Sequence, residues 1–296
     1  MKQPSVQFNH PRPGATRTAE HRSRKDCTAE AEAFAYIIDL IYTRCRIKLH
    51  EGKEQLIKAR LGKRMRHHGI ETLEAYCDFL KTQADEDEFT RVVDALTTNF
   101  THFLREEDHF SFMINQALPG TLRPGQKRFN VWSAACSSGE EPYTIAMYLA
   151  ERFSPAQCWD WRITGSDIST KVLSAAELGV YTEERVQAIP PDWLRKYFLK
   201  GVGHWAGHFK VKPDLRERVE FRQINLIENY HHQHNFEIIF CRNVMIYFDR
   251  ATQEQLIARL CNHLVPGGYL LIGHSESLTG LKVPLRCLRP SIYQRN

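Results

Sequence analysis

A turn of small residues follows an apolar run near the middle of the chain. The run Arg128–Ala134 (RFNVWSA) predicts a strand, and ACSSG at 135–139 follows it. Small side chains let a ligand approach the backbone closely, although an ordinary strand-to-helix turn has the same composition. The loop is not a GxGxxG fingerprint, so it would support a dinucleotide pyrophosphate poorly.

An acidic residue, Asp167, ends the next predicted strand, Trp161–Ser166. A carboxylate at that position can accept hydrogen bonds from both hydroxyls of a ribose. The alternative role is capping of the following helix. Taken with the small-residue turn, Asp167 favours an adenosine-containing cofactor, and the missing pyrophosphate loop favours S-adenosylmethionine over NAD.

A polar cluster in NFTHFLRE, at 99–106, joins the two halves of the chain. An Asn-Thr-Arg set at a domain junction could clamp a carboxylate, whereas a lone Arg is usually solvated. His231, His232 and His234 do not favour a metal site, because their loop has no acidic or Cys partners. The eight cysteines form no CxxC pair and are interpreted as reduced thiols.

The arrangement of apolar residues predicts helices first and an α/β region after them. Predicted strands Arg128–Ala134, Trp161–Ser166, Phe236–Cys241 and Tyr269–Gly273 alternate with predicted helices, which implies a parallel sheet. The sequence therefore predicts four parts: a disordered tail at 1–28, a helical domain at 29–98, an α/β domain at 99–296, and a unit of short antiparallel strands inserted at about 190–222.

Composition places the chain among globular proteins. It has 296 residues, 42% of them apolar, and a net charge of +5. That charge is far from the density of a dedicated nucleic-acid binder. The first residues contain no continuous apolar segment, and no run of about 18 apolar residues occurs anywhere. We therefore expect a cytoplasmic protein without membrane insertion.

Six segments, in order, resemble the CheR-type chemotaxis receptor glutamate O-methyltransferases: LTTNFTHFLRE, VWSAACSSGEEPYTIAM, GSDIS, INL, IIFCRNVMIYFD and GGYLLIGHSES. The resemblance covers roughly residues 34–293. It implies a Rossmann-like class I methyltransferase domain, a small all-helical N-terminal domain and an inserted antiparallel β subdomain. It also implies methylation of receptor glutamates by S-adenosylmethionine, with S-adenosylhomocysteine as product.

The resemblance assigns site residues position by position. Arg105 and Tyr247 match the residues placed beside the transferring methyl group. The positions that match cofactor contacts are Asn99, Thr101, Arg105, Glu141, Asp167, Asn225, Leu226, Arg242 and Asn243. The family often has Thr where this chain has Ser138, which is a conservative change.

Two surfaces are candidates for receptor docking. One is a basic helical stretch, which could equally be a solvated helix face; its residues are Lys53, Lys58, Arg60, Lys63, Arg64 and Arg66. The other is the β unit around Gly201, Gly203 and Gly207, which resembles the family subset that binds a peptide at the receptor C-terminus. An edge strand there could bind such a peptide by β-augmentation.

Two other functions compete with this interpretation. A nucleic-acid methyltransferase would fit the basic helices, but amino-group methylases of that kind tend to carry an Asn/Asp-Pro-Pro-aromatic turn, and CRNVMIY at 241–247 has no proline. A non-catalytic receptor adaptor or S-adenosylhomocysteine sensor would need only the binding residues. We expect a monomer whose partners are chemoreceptors.

Overall fold

The computed structural model describes residues 16–49, 52–153 and 158–296, with side chains from residue 28 onwards. Its helices are α1 Thr16–Cys45, α2 Glu54–His67, α3 Leu73–Thr82, α4 Glu86–Leu96, α5 Asp108–Phe112, α6 Leu118–Thr121, α7 Glu140–Arg152, α8 Thr170–Leu178, α9 Glu183–Val186, α10 Pro191–Tyr197, α11 Pro213–Arg216 and α12 Arg250–His263. Its strands are β1 Arg128–Ala134, β2 Asp160–Asp167, β3 Val180–Thr182, β4 Phe198–Lys200, β5 His208–Val211, β6 Val219–Gln223, β7 Phe236–Cys241, β8 Leu264–Ile272, β9 Leu285–Arg289 and β10 Ile292–Arg295. None of these described helices is long and apolar enough to cross a membrane.

Helices α1 to α4 pack into a unit with its own apolar core, as the helical spacing of apolar residues predicts. Two of them begin at capping side chains that accept a backbone N–H three residues ahead: Thr72 from Ala75, at 3.2 Å, and Asp85 from Glu88, at 2.8 Å. The core of this unit is made of buried residues from all four helices: Phe34, Ile37, Ile41, Ile57, Leu61, Leu73, Tyr76, Leu80, Val92 and Leu96.

Helix α1 begins inside the segment that the sequence predicts to be a disordered tail. The prediction for residues 1–15 lies outside the described residues, but the prediction for 16–28 is wrong, because α1 starts at Thr16. No Gly or Pro occurs between Thr16 and Cys45, and the stretch is rich in Ala, Glu, Arg and Lys. These residues favour a helix even where the segment has few apolar side chains.

The larger sheet has seven strands in the order β6-β2-β1-β7-β8-β10-β9. The first five are parallel, and β10 and β9 add an antiparallel edge. Alternate residues of each central strand face opposite cores: in β7, Ile238 and Phe240 face one, and Ile239 and Cys241 face the other. The predicted α/β fold with a parallel sheet is therefore confirmed.

The chain crosses from one side of β1 to the other between β6 and β7, since β2 and β6 lie on one side and β7 and β8 on the other. Loops at the carboxyl ends of β1 and β7 therefore diverge and leave a crevice. Such a crevice is the usual ligand site of an open parallel sheet. The sheet positions the residues that follow Ala134, Asp167 and Cys241 around it.

The small antiparallel sheet differs from its predicted composition. Its strand order is β3-β5-β4, so Val180–Thr182, which lies before the predicted insertion, supplies one of its strands. The stretch RVEFR, predicted as part of the insertion, forms β6 and pairs in parallel with β2 in the main sheet. The predicted range 190–222 is wrong in this respect, because apolar alternation identifies a strand but not the strand with which it pairs.

The histidines near residue 232 lie against aromatic rings. The ring of Trp132 is 4.4 Å from that of His232 and 5.4 Å from that of Tyr230, measured between centroids. Burial lowers the pKa of His232 from 6.5 to about 4, with repulsion from His263 and Arg222 adding to the effect. Because this pKa lies below its unfolded value, the unfolded chain binds more protons as the pH falls from 6.5 towards 4, and stability decreases over that range.

Replacing His232 by Phe should reduce the loss of stability at low pH, because Phe keeps an aromatic ring in place and removes the proton-binding group. Between about pH 7.5 and about pH 5 we expect the free energy of unfolding of His232→Phe to fall by about 1 kcal/mol less than that of the unchanged protein. Chemical denaturation at both pH values measures the difference. Equal losses in the two proteins would contradict the assignment.

Candidate functional site

A cleft that is partly open to solvent lies where the carboxyl ends of β1, β2 and β7 meet the helical unit. The junction segment 99–105 and the first half of α2 form part of its wall. All the residues that the resemblance assigns to the cofactor or the methyl group line this cleft: Asn99, Thr101, Arg105, Glu141, Asp167, Asn225, Leu226, Arg242, Asn243 and Tyr247.

The small-residue turn after β1 folds back tightly at the floor of the cleft. Ala135, Ser137 and Gly139 have positive φ angles of 61°, 50° and 94°. A Cβ on Gly139 would lie 2.8 Å from the Cβ of Ala176, so the close packing of the turn on α8 requires glycine. Ser137 donates its hydroxyl to the carbonyl of Asn99 at 2.9 Å, which ties the turn to the junction segment.

Asp167 is buried at the end of β2 and holds two backbone groups. Its Oδ2 accepts the N–H of Ser137 at 2.8 Å, and its Oδ1 accepts the N–H of Ser169 at 3.0 Å. Burial raises the pKa of this carboxyl, although the backbone hydrogen bonds oppose the rise. The helix cap is Ser169, whose hydroxyl accepts the N–H of Val172, so Asp167 is not the capping residue.

Arg242 is buried at the end of β7 between two carboxylates. Its Nη1 donates to Oε2 of Glu141 and its Nη2 to Oε2 of Glu106, both at 2.9 Å. Nη2 also donates to the carbonyl of Arg105 at 2.5 Å, and the guanidinium lies over the ring of Phe110. Burial tends to raise the pKa of Glu106, but the charge and hydrogen bonds of Arg242 outweigh it and the pKa is lowered.

The polar groups of Asn225 and Asn243 are used within the protein. Asn225 donates its amide to the carbonyl of Arg44, at the end of α1, at 2.9 Å. Asn243 has a φ of 58° and donates its amide to Oε1 of Glu106 at 3.3 Å. These contacts fix the two turns that border the cleft.

Arg105 and Tyr247 are partly exposed on the cleft wall. Nη1 of Arg105 donates to the carbonyl of Phe100 at 3.1 Å, a contact within its own segment. Tyr247 lies at the end of a short 3₁₀ turn, Met245–Tyr247, and its carbonyl accepts the N–H of Lys48. The structure therefore brings the two predicted catalytic side chains to one cleft from segments far apart in the sequence.

Two carboxylates that hold the site together, those of Glu106 and Glu276, are not among the predicted site residues. Glu106 holds Arg242, and Glu276 binds the turn after β7. Glu276 is buried and accepts backbone N–H groups of Asn243 at 2.9 Å, Met245 at 2.8 Å and Gly273 at 2.7 Å. Burial raises its pKa. Both residues lie in quoted motifs, and Glu276 follows the carboxyl end of β8, which is the one signal that could have identified it.

A group of possible metal ligands in the described part of the chain adjoins this network. Ligand atoms of Glu106, His109 and His274 lie within 4.8 Å of one another. Oε2 of Glu106 already accepts N–H groups from Arg242 and from the backbone of His274, and the guanidinium charge opposes a cation there. The donor set therefore fits a hydrogen-bonded support better than a metal site.

The basic helix α2 is only partly available as a surface. Arg60 donates to the carbonyls of Leu96 and Thr97, at the end of α4. Arg64 forms an ion pair with the buried Glu88, and Lys58 pairs with Glu30. Burial tends to raise the pKa of Glu88, but Arg64 and two further hydrogen bonds lower it to about 2.

Arg60 and Arg64 thus stabilise the helical unit, which the helix pattern could not reveal, and their part in the docking surface stays a prediction. Lys53, Lys63 and Arg66 are exposed.

Comparisons with known proteins cover nearly the whole described chain. A family described as "CheR methyltransferase, all-alpha domain" matches residues 32–97, and one described as "CheR methyltransferase, SAM binding domain" matches residues 99–293. A "Chemotaxis protein methyltransferase" of Salmonella typhimurium is 39% identical over 84% of this chain and 84% of its own length. A protein of the same name from Borreliella burgdorferi is 34% identical over 94% of this chain and 99% of its own.

Substituting Gln for Glu276 should loosen the turn after β7. A glutamine side chain has one acceptor oxygen, so its NH₂ group would face backbone N–H donors that now bind the second carboxylate oxygen. We expect Glu276→Gln to lower the free energy of unfolding by about 1–3 kcal/mol, measured by denaturant titration. Glu71→Gln, at an exposed position, is the matched control; equal stability of the two variants would contradict the role of Glu276.

Proposed function

The chain belongs to the CheR methyltransferase family, and from that premise we propose that it converts glutamate side chains of bacterial chemoreceptors into methyl esters. The family match shows a methyltransferase that uses S-adenosylmethionine, as the sequence predicts. The observation that carries the finer proposal is that one cleft is lined by every residue predicted to hold the cofactor or to lie beside the methyl group.

Each side of the cleft would contact a different part of S-adenosylmethionine. Asp167 would accept the ribose hydroxyls, while the turn at 135–139 would lie beneath the nucleoside. Asn225 and Leu226 would border the adenine, and Glu141 would face the positively charged amino group. Their placement around one cavity supports this proposal.

Arg242 has an indirect role in this scheme. Its guanidinium is already bound by Glu106, Glu141 and the carbonyl of Arg105. Few of its N–H groups remain for a ligand. We therefore propose that Arg242 fixes the position of Glu141 and of the junction segment, and that those groups contact the cofactor.

The reaction makes modest demands on the protein. The cofactor supplies a methyl group on a positively charged sulfur. An unperturbed glutamate has a pKa of about 4.3, so it is ionised at neutral pH and needs no general base. One carboxylate oxygen forms a bond to the methyl carbon as the carbon–sulfur bond breaks, its electron pair stays on sulfur, and no proton moves.

The protein contributes mainly by orienting the acceptor carboxylate towards the methyl group. Arg105 on the cleft wall would hold the acceptor carboxylate, and Tyr247 would hydrogen-bond near the methyl group. Alignment of this kind supplies several kcal/mol towards the barrier, and a wall that keeps water from the carboxylate preserves its reactivity. The partial exposure of both residues supports this division of roles.

A receptor has two proposed docking surfaces outside the cleft. On α2, Lys53, Lys63 and Arg66 form an exposed basic surface that would attract an acidic partner. The other is the hairpin of β4 and β5, where β4 pairs with β5 alone among the described strands and so offers a free edge. A peptide strand could add to that edge through backbone hydrogen bonds.

The hairpin depends on its glycines. A Cβ on Gly201 would lie 2.1 Å from the carbonyl oxygen of Trp205, and Gly203 and Gly207 have φ angles of 60° and 78°. The turn they form leaves Val202 80% exposed and Trp205 51% exposed. Exposed apolar side chains beside a free strand edge support the peptide proposal.

Binding of a receptor cytoplasmic domain, with and without its C-terminal tail, should separate these surfaces. Charge reversal at Lys63 and Arg66 should remove most of the salt dependence of affinity and keep the effect of the tail. Substitution of Val202 and Trp205 by Ser should abolish the effect of the tail and keep the salt dependence. Calorimetry at low and high salt measures both. Variants that fail to separate the two effects would contradict the assignment.

The reaction itself is tested by transfer of a radiolabelled methyl group to receptor-containing membranes, with base-labile label scored as ester. An adaptor or S-adenosylhomocysteine sensor would bind without transfer, and a nucleic-acid methyltransferase would label nucleic acid. We expect Arg105→Ala to lose at least about 100-fold in kcat while remaining folded, because orientation errors of this kind cost that much. Arg123→Ala, at an exposed position outside the cleft, is the matched control; near-normal turnover of Arg105→Ala would exclude Arg105.

A further inference from the structure

A second pocket lies at the amino ends of two central strands, opposite the cleft. It is formed by the segment that leads into β7 and by the end of α12, and its lining residues are Asn229, Tyr230, His231, Arg259, Asn262 and His263. Strand β8 begins directly after α12, and its first residue, Leu264, pairs with Phe236 at the start of β7. The pocket therefore adjoins the amino ends of these strands, whereas the cleft lies at the carboxyl ends.

Every side chain that lines this pocket can donate a hydrogen bond. The pocket contains one guanidinium, one phenol hydroxyl, two amides and two imidazoles, and none of its lining residues is acidic. The positive charge of Arg259 therefore has no opposite charge within the pocket. A set of donors around an unbalanced cation is suited to an anionic ligand.

Two polar atoms of the pocket are buried without a partner. Nη1 of Arg259 and the hydroxyl oxygen of Tyr230 form no hydrogen bond with another described residue. Buried polar groups in native proteins are nearly always hydrogen-bonded, because an unpaired group loses its hydration without compensation. A ligand in the pocket would supply the acceptor that both groups lack.

Aromatic contacts hold these donors in place. The ring of Tyr230 stacks on that of His263, with 5.3 Å between centroids, and lies 5.4 Å from that of Trp132. Burial raises the pKa of Tyr230, although the charge of Arg259 opposes the rise, so the hydroxyl keeps its proton and can donate. Arg259 precedes Leu260, which anchors α12 in the core. Because the donors are already positioned, binding costs less entropy.

The number and arrangement of the donors favour a phosphate group over a carboxylate. A carboxylate offers two oxygens in one plane, whereas a phosphate group offers at least three strong acceptor oxygens that point in different directions. The donors here come from two separate elements, the segment 229–231 and the end of α12. Arginine is also well matched to phosphate, because its N–H groups form a planar fork.

We propose that this pocket is a second ligand site, which binds a phosphate group carried by inorganic phosphate or by a small phosphorylated metabolite. Arg259 and Tyr230 donate to the phosphate oxygens, and the amides of Asn229 and Asn262 complete the site at its exposed side. The site is independent of methyl transfer, because none of its lining residues borders the cleft.

Equilibrium dialysis with radiolabelled inorganic phosphate tests the proposal at constant ionic strength. S-adenosylhomocysteine is present at saturation to occupy the cleft, whose lining also includes cationic side chains. The unchanged protein is compared with Arg259→Gln, Asn262→Asp and Tyr230→Phe. Gln255→Glu is the matched control, because Gln255 is exposed on the same helix outside the pocket and the substitution changes the charge as Arg259→Gln and Asn262→Asp do. Unlabelled ribose 5-phosphate and acetate are then added as competitors.

We expect one phosphate to bind per chain of the unchanged protein and of Gln255→Glu. Arg259→Gln and Asn262→Asp should each weaken binding by at least about tenfold, because one loses a charge-assisted hydrogen bond and the other adds a repelling charge. Tyr230→Phe should weaken it by roughly fivefold, the effect of one neutral hydrogen bond. Stronger displacement by ribose 5-phosphate than by unlabelled phosphate would identify a phosphorylated metabolite as the ligand, and weaker displacement would identify the free ion.

Three results would overturn the proposal: no saturable binding to the unchanged protein, equal affinity of Gln255→Glu and Arg259→Gln, or displacement by acetate as effective as that by phosphate. Asn262 is exposed, so Asn262→Asp tests the site even if Arg259→Gln lowers stability. Circular dichroism confirms that each variant is folded.

Discussion

The ion pairs of Arg242 are the interaction on which the site depends. A buried guanidinium needs its charge balanced, and here Glu106 and Glu141 provide two carboxylates while the carbonyl of Arg105 provides a further acceptor. Removing one partner of such a set leaves a buried charge unpaired, which typically costs about 3–5 kcal/mol. These contacts hold the end of β7, the start of α7 and the junction segment in fixed positions relative to one another.

Hydrogen bonds between polar side chains also hold the helical unit against the α/β domain. Tyr42 of α1 donates its hydroxyl to Asp249 at 2.6 Å, at the start of α12, and Thr170 of α8 donates to Asp94 of α4 at 3.0 Å. These contacts bridge elements far apart in sequence. The cleft between the helices and the sheet is therefore shaped before any ligand arrives, which lowers the entropy that binding would cost.

The proposed function places the chemistry of methyl transfer and the binding of a partner on different parts of the molecule. The cleft holds groups whose positions are fixed by buried hydrogen bonds, and the surfaces around it are exposed and differ in character. In the proposed function the basic residues of α2 would act over a distance, because charge attracts a partner before contact. The hairpin would act only on contact. A substrate would thus be attracted, tethered and aligned by different physical effects.

The sequence by itself determined the central strands and the residues that follow their carboxyl ends. A short apolar run such as FEIIFC at 236–241 is typical of a strand buried on both faces, and the carboxyl ends of neighbouring parallel strands bring Asp167 and the turn at 135–139 together. It could not assign β6 to the main sheet, because a period of two identifies a strand without its partner. Nor could it separate Arg64, paired with buried Glu88, from exposed Lys63 on the same helix, or assign roles to Glu106 and Glu276. Ion pairs and hydrogen bonds between distant residues depend on a few ångströms of tertiary placement, and that placement is fixed only when the whole chain packs.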